Sequence, residues 1–193
     1  MPKTLSVPAQ VKAFWRSPDG SIVQIRPIES TDATLIREFV GSLSYEARYL
    51  RFMGTVKELS SQAIDRLTRV DHRREAALVA VAHYDGLDRI VGVARYAMNA
   101  DDETCDFAIV VADNWQRRGL GSRLLTLLVD AACTRGLRRI GGDVLAINRP
   151  MTAFVSAHGF SVTLSESDPR SLRVERRLDG SRNRWLATNR SMA

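Results

Sequence analysis

Apolar and polar residues follow two different periods along this chain, and the period changes from strand-like to helical and back. Residues 11–15 and 22–28 are strand-like runs on either side of a Ser-Pro-Asp-Gly turn. Its proline and glycine supply the fixed and the permissive φ that a chain reversal requires, which predicts a β-hairpin. Helical spacing then takes over. It predicts three helices: one capped by Ser30 and running through Phe39, one over residues 45–52, and one capped by Ser60 and carrying Leu67.

The middle of the chain returns to strand-like sequence. Three β-rich runs, at residues 76–84, 90–98 and 104–111, are separated by turn-type segments and predict an antiparallel meander. A long helix follows from Leu120, and Gly136 stands where glycine commonly ends a helix. The remaining predicted elements are a strand at 140–147, a helix at 150–157, and a closing hairpin at 160–164 and 172–178.

Length and composition indicate one domain. The chain has 193 residues, of which 45% are apolar, enough for one ordinary core. We expect the domain to span residues 11–178, with a loosely anchored segment at 1–10 and a flexible tail at 179–193. No apolar run approaches the roughly 18 residues that a membrane span needs, so we expect a cytoplasmic protein without a membrane partner. The net charge of +6 favours an anionic partner.

The most informative stretch is 109–122, where an apolar strand and a polar turn lead through Gly119-Leu120-Gly121 into the long helix. Such a junction directs unpaired N–H groups and the positive helix end at one point, which predicts a bound diphosphate. A dinucleotide fingerprint is excluded because Leu124 occupies its third glycine position, and a Walker A loop because no Gly-Lys-Ser/Thr follows. Residues 116–121 instead match Gln/Arg-x-x-Gly-x-Gly/Ala; glycine serving turn geometry alone is the alternative.

That pattern is the phosphate-binding signature of the GNAT superfamily of N-acetyltransferases, which the chain resembles from 11 to 178. The segments 26–28, 43–52 and 71–80 look like the catalytic domain of bacterial Pat-type protein lysine acetyltransferases. The resemblance implies the α/β (α+β) GNAT acyl-CoA N-acyltransferase fold, a mixed, mostly antiparallel sheet flanked by helices. It also implies direct acetyl transfer from acetyl-CoA to a primary amine, foremost a protein lysine on an acceptor such as an acyl-CoA synthetase.

The same resemblance implies which residues contact acetyl-CoA. Backbone groups on the last strand of the meander would bond the pantetheine arm, the glycine loop would hold the pyrophosphate, and an asparagine would contact the arm again. In this sequence these are Ile109, Val110, Val111, Gln116, Arg117, Arg118, Gly119, Leu120, Gly121, Ser122 and Asn148. Solvated loop cations are the alternative for Arg117 and Arg118, and a helix cap is compatible with the role of Asn148.

Asp106 is the candidate general base, because Pat-like proteins carry a glutamate at the corresponding strand position. Aspartate is one methylene shorter and would reach the amine through a water. Glu75 and Glu103 are alternative bases. The tyrosine with which many GNAT enzymes protonate the leaving thiolate is replaced by Val155, so water or Ser156 would take that role.

The other chemistry-bearing residues indicate little. No histidine or cysteine has metal-ligand spacing, so we expect no metal, and the arginines near 48–51 and 69–74 indicate docking of an acidic protein rather than nucleic acid. Two rival functions remain open at this point: a small-molecule amine acetyltransferase, which calls for an enclosed acidic pocket, and a non-catalytic acyl-CoA sensor. The oligomeric state is unknown.

Overall fold

A computed structural model describes residues 13–178. The expected loose ends, and the first two residues of the first expected strand, lie outside them. The strands are β1 (Ala13–Arg16), β2 (Ile22–Pro27), β3 (Glu75–Tyr84), β4 (Leu87–Met98), β5 (Thr104–Val111), β6 (Arg139–Leu145), β7 (Ser161–Leu164) and β8 (Ser171–Arg177). The helices are α1 (Ala33–Ser42), α2 (Tyr45–Phe52), α3 (Ser61–Thr68), α4 (Leu120–Arg135) and α5 (Arg149–Ala157).

The eight strands form one sheet in the order β1-β2-β3-β4-β5-β6-β8-β7. Every neighbouring pair is antiparallel except β5 and β6, which are parallel because α4 carries the chain back between them. The expected mixed and mostly antiparallel sheet is therefore confirmed. The last strand, β8, lies between β6 and β7, so the closing hairpin joins the sheet through its second strand.

Short turns set the register of the meander. Asp85 and Gly86 connect β3 to β4, both with positive φ angles of 57° and 75°. A two-residue turn of this kind matches the right-handed twist of the flanking strands. Because the turn has only two residues, β4 begins at Leu87 instead of the expected residue 90.

Hydrophobic cores lie on both faces of the sheet. The larger one packs α4 and α5 against the middle strands, through fully buried side chains such as Leu124, Leu128 and Val155. The smaller one packs α1 and α3 against β3 and β4, with Ile36 and Phe39 at its centre. Helices therefore flank the sheet on both sides, as expected. No helix within 13–178 has both the length and the apolar character of a membrane span.

Most of the expected helix boundaries are confirmed, with one correction. The Ser60 hydroxyl accepts a hydrogen bond from Ala63 N, and Gly136 ends α4 with a φ of 83°. The expected cap at Ser30 is wrong, because Ser30 opens a short 3-10 turn that precedes α1. Asp32 organises that turn instead, since its carboxylate accepts a hydrogen bond from Glu29 N at 2.8 Å.

Asp32 also forms a buried ion pair with Arg26, and this pair makes the fold sensitive to acid. The two guanidinium nitrogens each donate to one carboxylate oxygen at 2.7 Å. Burial raises the pKa of Asp32, but the hydrogen bonds from Arg26 and Glu29 outweigh burial, and the net pKa is lowered. A lowered pKa adds stability above the carboxyl's unfolded pKa, and this stability is lost as pH falls through the folded value.

We therefore expect Asp32→Asn to lower the free energy of unfolding by about 2 kcal/mol at pH 7, because it leaves Arg26 buried without its anion. The difference from the wild type should shrink as pH falls below the carboxyl's unfolded pKa and through its lowered folded pKa, because the native carboxyl then becomes protonated as well. Urea unfolding from pH 7 to pH 3 measures both quantities. A difference that stays constant with pH would contradict this account.

Candidate active site

The central feature of the sheet is a gap between its two parallel strands. β5 pairs with β6 only at residues 104–106, opposite 139–141, although β5 continues to Val111 and β6 to Leu145. Gly142 stands where the strands diverge, and a Cβ at this position would lie 3.0 Å from the Phe107 carbonyl oxygen. The sheet therefore opens into a wedge along the second half of β5.

A cavity of about 660 Å³ occupies this wedge. Its walls are the open ends of β5 and β6, the loop before α4, the start of α5, and one side of α2. That volume is in the range of small-molecule binding sites. The glycine loop, Asn148 and Asp106 all line this one cavity.

The edge of β5 that faces the wedge carries free backbone hydrogen-bonding groups. Ala112 N donates to Val91 O on β4, and alternation in an antiparallel ladder directs the backbone of Val110 to β4 as well. The N–H groups of Ile109 and Val111 therefore face the wedge. All three residues expected to bond the pantetheine arm line the cavity, but the backbone N–H of Val110 faces β4 instead of the wedge.

The loop before α4 has the shape of an anion site. Arg117 and Gly119 both adopt left-handed conformations, with φ angles of 58° and 95°. Arg117, Gly119, Gly121 and Ser122 line the cavity, and the first N–H groups of α4 have no partner within the helix. The positive end of the α4 dipole is therefore directed at the wedge. Gln116 borders the loop and donates from Nε2 to Val111 O at 3.1 Å.

Two of the expected loop residues have other surroundings. Arg118 does not line the cavity; it forms an ion pair with Asp19 in the β1–β2 turn, and its guanidinium lies 5.2 Å from the centre of the Trp115 ring. Leu120 is completely buried in the larger core. It does not line the cavity.

The start of α5 completes the far wall. Asn148 lines the cavity and caps α5, since its Oδ1 accepts a hydrogen bond from Met151 N at 3.1 Å. Val155, on the other hand, is completely buried. Ser156 is exposed and lies outside the cavity wall. Neither side chain is in a position to donate a proton within the wedge.

Asp106 lies at the inner end of the wedge, where β5 and β6 separate. Arg173 on β8 donates from Nη2 to its carboxylate at 2.6 Å, and Asp143 on β6 lies 3.7 Å from the other arm of the same guanidinium. Burial disfavours the charge on Arg173, but the hydrogen bond to Asp106 and the nearby carboxylates raise its pKa above the usual value. The arginine is therefore fixed as a cation between two acids. The Asp106 side chain remains 45% exposed.

The other candidate bases lie away from the cavity. Glu75 is held by Arg95 at 2.7 Å, and Glu103 lies 3.3 Å from Arg138. Neither lines the wedge, and neither do His83 or His158. Among residues 13–178, no group of three or more histidine, cysteine or acidic side chains is arranged to hold a metal ion.

Helix α2 is fastened to the site at its first turn. Ser44 donates from its backbone N and its hydroxyl to the Asp113 carboxylate, at 2.9 and 2.7 Å. Asp113 lies two residues after β5, so this contact joins α2 to the same segment that leads into the glycine loop. α2 buries no side chain completely, and its inner side forms part of the cavity wall.

Several features of the site carry a weak sequence signal or none. The pair Gly141-Gly142 inside an apolar run marks a close backbone approach, which is the one local sign of where β5 and β6 diverge. Arg173, Asp143 and Arg51 also line or adjoin the site. They are ordinary charged residues in sequence, and only the pairing of β5, β6 and β8 brings the first two to Asp106.

The residues around the wedge fit an acyl-CoA. A linear arm needs hydrogen-bonding partners along its length, which the free edge of β5 provides, and a pyrophosphate needs convergent N–H donors, which the start of α4 provides. Gly119 and Gly121 leave room for close approach of an anion to this backbone. The hydrogen-bonding groups and the shape of the cavity therefore both fit an acyl-CoA.

Comparison with known proteins identifies the family. Residues 44–160 match the model of the acetyltransferase (GNAT) family. The Pseudomonas aeruginosa protein named acetyltransferase PA5475 is 36% identical over 151 residues, which cover 78% of this chain and 80% of that protein. The chain belongs to the GNAT family of acetyltransferases, whose members use acetyl-CoA.

Two further similarities concern Pat proteins. The GNAT domain of S. lividans PAT superposes with a TM-score of 0.79 and 27% identity, covering 89% of this chain and 99% of that domain. Acetyltransferase Pat of Mycolicibacterium smegmatis is 26% identical over 154 residues, 79% of this chain but only 44% of the longer protein. The expected resemblance to the catalytic domain of Pat proteins is thus confirmed.

Proposed function

We propose that this chain transfers the acetyl group of acetyl-CoA to the side-chain amine of a protein lysine. The observation that carries the proposal is the arrangement of the β5–β6 wedge, which has the glycine loop and the start of α4 at one end and the Asp106 carboxylate at the other. A linear acyl-CoA lying between them would bring its thioester toward the acid. The acetyl thioester supplies the electrophile.

In the proposed complex, the backbone N–H groups of residues 117–122 hold the pyrophosphate and the helix dipole favours its charge. Ile109 and Val111 bond the arm through the free edge of β5, and Asn148 contacts it from the opposite wall. Arg117 adds a positive charge to the rim. Arg118 supports the loop through Asp19 and does not contact the phosphates directly.

Asp106 removes the proton from the incoming amine. A lysine has a pKa of about 10.4 in water, and only its neutral form attacks a thioester. As the C–N bond forms and the C–S bond breaks, the amine proton passes to Asp106, directly or through a water. An N–H near Val111 donates to the carbonyl oxygen as it gains charge. With Val155 buried, water protonates the departing thiolate.

The surroundings of Asp106 favour a protein acceptor over a small amine. Residues directly opposite one another share a sheet face, so Ala97, Asp106 and Glu175 lie in one row, with Ser161 at its end. Ala97 and Ser161 are exposed, and Asp106 is nearly half-exposed. Within the described part of the chain, this face is open to solvent, as a polypeptide acceptor requires.

A direct comparison of acceptors tests the proposal. The purified chain is incubated with acetyl-CoA and either an intact acyl-CoA synthetase, a lysine-containing peptide, or small amines such as free lysine and spermidine. We expect kcat/KM to be highest for lysine within a polypeptide, with mass spectrometry locating the acetyl group on the side-chain nitrogen. Faster turnover of a small amine than of any polypeptide would overturn the choice of acceptor.

The same experiment distinguishes the proposed enzyme from the non-catalytic acyl-CoA sensor. Two features favour the sensor, which would bind acyl-CoA without turning it over. Asp106 is ion-paired with Arg173, and valine instead of tyrosine stands at position 155. Tight binding of CoA by calorimetry, with no acetylation of any amine, would replace the proposed catalytic function with the sensor. Absence of CoA binding to the folded protein would remove both.

A further inference from the structure

Arg51 is a cation in the wall of the cavity that has no anionic partner among the described residues. It lies in the last turn of α2, is only partly exposed, and contributes to the wall formed by that helix. Its guanidinium lies 5.1 Å from the centre of the neighbouring Phe52 ring, and within residues 13–178 it makes no hydrogen bond or ion pair with a carboxylate. Stacking on an aromatic face leaves the N–H donors at the guanidinium edge available.

The parts of the chain outside the described residues contain few acidic residues that could pair with Arg51. Residues 1–12 contain no aspartate or glutamate, and Asp179 is the only one after Leu178. Burying a charge without a counterion is costly. An anion bound next to Arg51 would offset that cost.

The place of Arg51 along the cavity indicates which part of the reaction it serves. Burial and repulsion from Arg95 lower the pKa of Arg51 to about 10, so the two guanidinium groups lie near each other. Arg95 pairs with Ala108 across the ladder, two residues beyond Asp106 on β5. Arg51 therefore lies near the end of the cavity where β5 separates from β6. Ser44, at the other end of α2, is hydrogen-bonded to Asp113 near the glycine loop.

The charge and shape of the Arg51 side chain indicate the ligand. Glu46 on α2 also lines the cavity but forms no ion pair with Arg51. The Arg95 guanidinium is already paired with Glu75 at 2.7 Å, so Arg51 is the one of these two neighbouring arginines that has no carboxylate partner among the described residues. One monoanion balances its charge, and the planar fork of a guanidinium matches the two oxygens of a carboxylate. The acetyl group carries no such charge.

We propose that Arg51 binds a carboxylate that enters the acceptor end of the cavity, either on the acyl chain of a dicarboxylic acyl-CoA or on an acidic side chain beside the target lysine. The inference rests on the proposed transfer reaction and specifies the charge of its substrates. Both sources present the same chemistry to Arg51, and separate assays distinguish them.

The experiment has two arms, each measured as a ratio of kcat/KM values. The donor arm compares succinyl-CoA with acetyl-CoA on one lysine peptide. The acceptor arm uses acetyl-CoA with two peptides that differ only in Glu or Gln beside the lysine. We expect the wild type to favour the carboxylate-bearing substrate in at least one arm, and Arg51→Gln to reduce that preference by about tenfold or more.

Two further variants control for charge and folding. Arg37→Gln removes one positive charge from an exposed position of α1 outside the cavity and is expected to keep the preference. Arg51→Lys retains the charge and should keep part of the preference, which a merely structural role would not require. Thermal melting establishes that each variant is folded.

The outcomes are distinct. A preference in the donor arm alone identifies the acyl chain as the source, and one in the acceptor arm alone identifies the acidic neighbour. Acetyl transfer without a preference in either arm, or an equal loss on all substrates in Arg51→Gln, overturns the role of Arg51 and leaves the proposed function standing. No transfer to any amine means instead that the proposed function itself has failed.

Discussion

Replacing Asp106 by asparagine is expected to lower kcat for acetyl transfer by about 10²- to 10⁴-fold, the usual contribution of a general base, while leaving the affinity for CoA unchanged. Asparagine has nearly the same shape and still offers an oxygen to Arg173, which donates to Asp106 at 2.6 Å in the wild type. It cannot take a proton from the amine. Steady-state kinetics and CoA calorimetry on the same preparation measure the two effects.

Glu103→Gln is the matched control for Asp106→Asn. Glu103 precedes β5, is exposed, and forms its ion pair with Arg138 outside the cavity. We expect this variant to retain wild-type kcat within about twofold, in keeping with the small effects of surface substitutions. Full activity of Asp106→Asn would exclude Asp106 as the base. Loss of activity in Glu103→Gln would point instead to that alternative base.

Gly121→Ala is expected to weaken CoA binding by roughly a hundredfold, about 2.7 kcal/mol, without lowering the melting temperature. The position is in the first turn of α4, where a Cβ would make only ordinary contacts, the nearest at 3.7 Å from Phe154. Alanine is also a better helix former than glycine. The added methyl group would, however, project into the cavity where the pyrophosphate approaches the backbone. Calorimetry with CoA and a thermal melt measure affinity and stability separately.

Gly41→Ala provides the control for the general effect of exchanging a helical glycine. Gly41 lies in α1 with no atom within 4 Å of an added Cβ. We expect it to raise stability slightly and to leave CoA affinity unchanged. Wild-type affinity in Gly121→Ala would contradict the assignment of the pyrophosphate to this loop. A lower melting temperature would mean that Gly121 serves the fold as well.

Local sequence determined most of the secondary structure because each element depends on nearby residues. The spacing of apolar side chains identifies α4, and Gly136 ends it since only a residue that tolerates φ near 83° fits there. The prediction at Ser30 is wrong for an instructive reason. A serine before a helix is a general capping signal, but the buried Arg26–Asp32 pair, formed with a strand, decides where this helix begins.

The glycine loop could also be identified from sequence, because its chemistry is contained in six consecutive residues and the helix that follows. The role of each residue in the loop could not be identified in this way. Arg118 forms an ion pair with Asp19, which lies 99 positions earlier in the chain, and Leu120 is buried in the core. Such long-range contacts depend on how the β1–β2 hairpin meets the loop.

By itself, then, the sequence determined the family, the order of strands and helices along the chain, and the loop that we propose as the anion site, since periodicity, caps and a contiguous loop encode these locally. Tertiary structure alone decided the rest. The separation of β5 from β6, the insertion of β8 between β6 and β7, the Asp106–Arg173–Asp143 cluster and the position of Arg51 in the cavity wall all depend on pairing between strands and helices distant in sequence. No short stretch of residues specifies such pairing, because register is fixed only when the whole sheet packs against its helices.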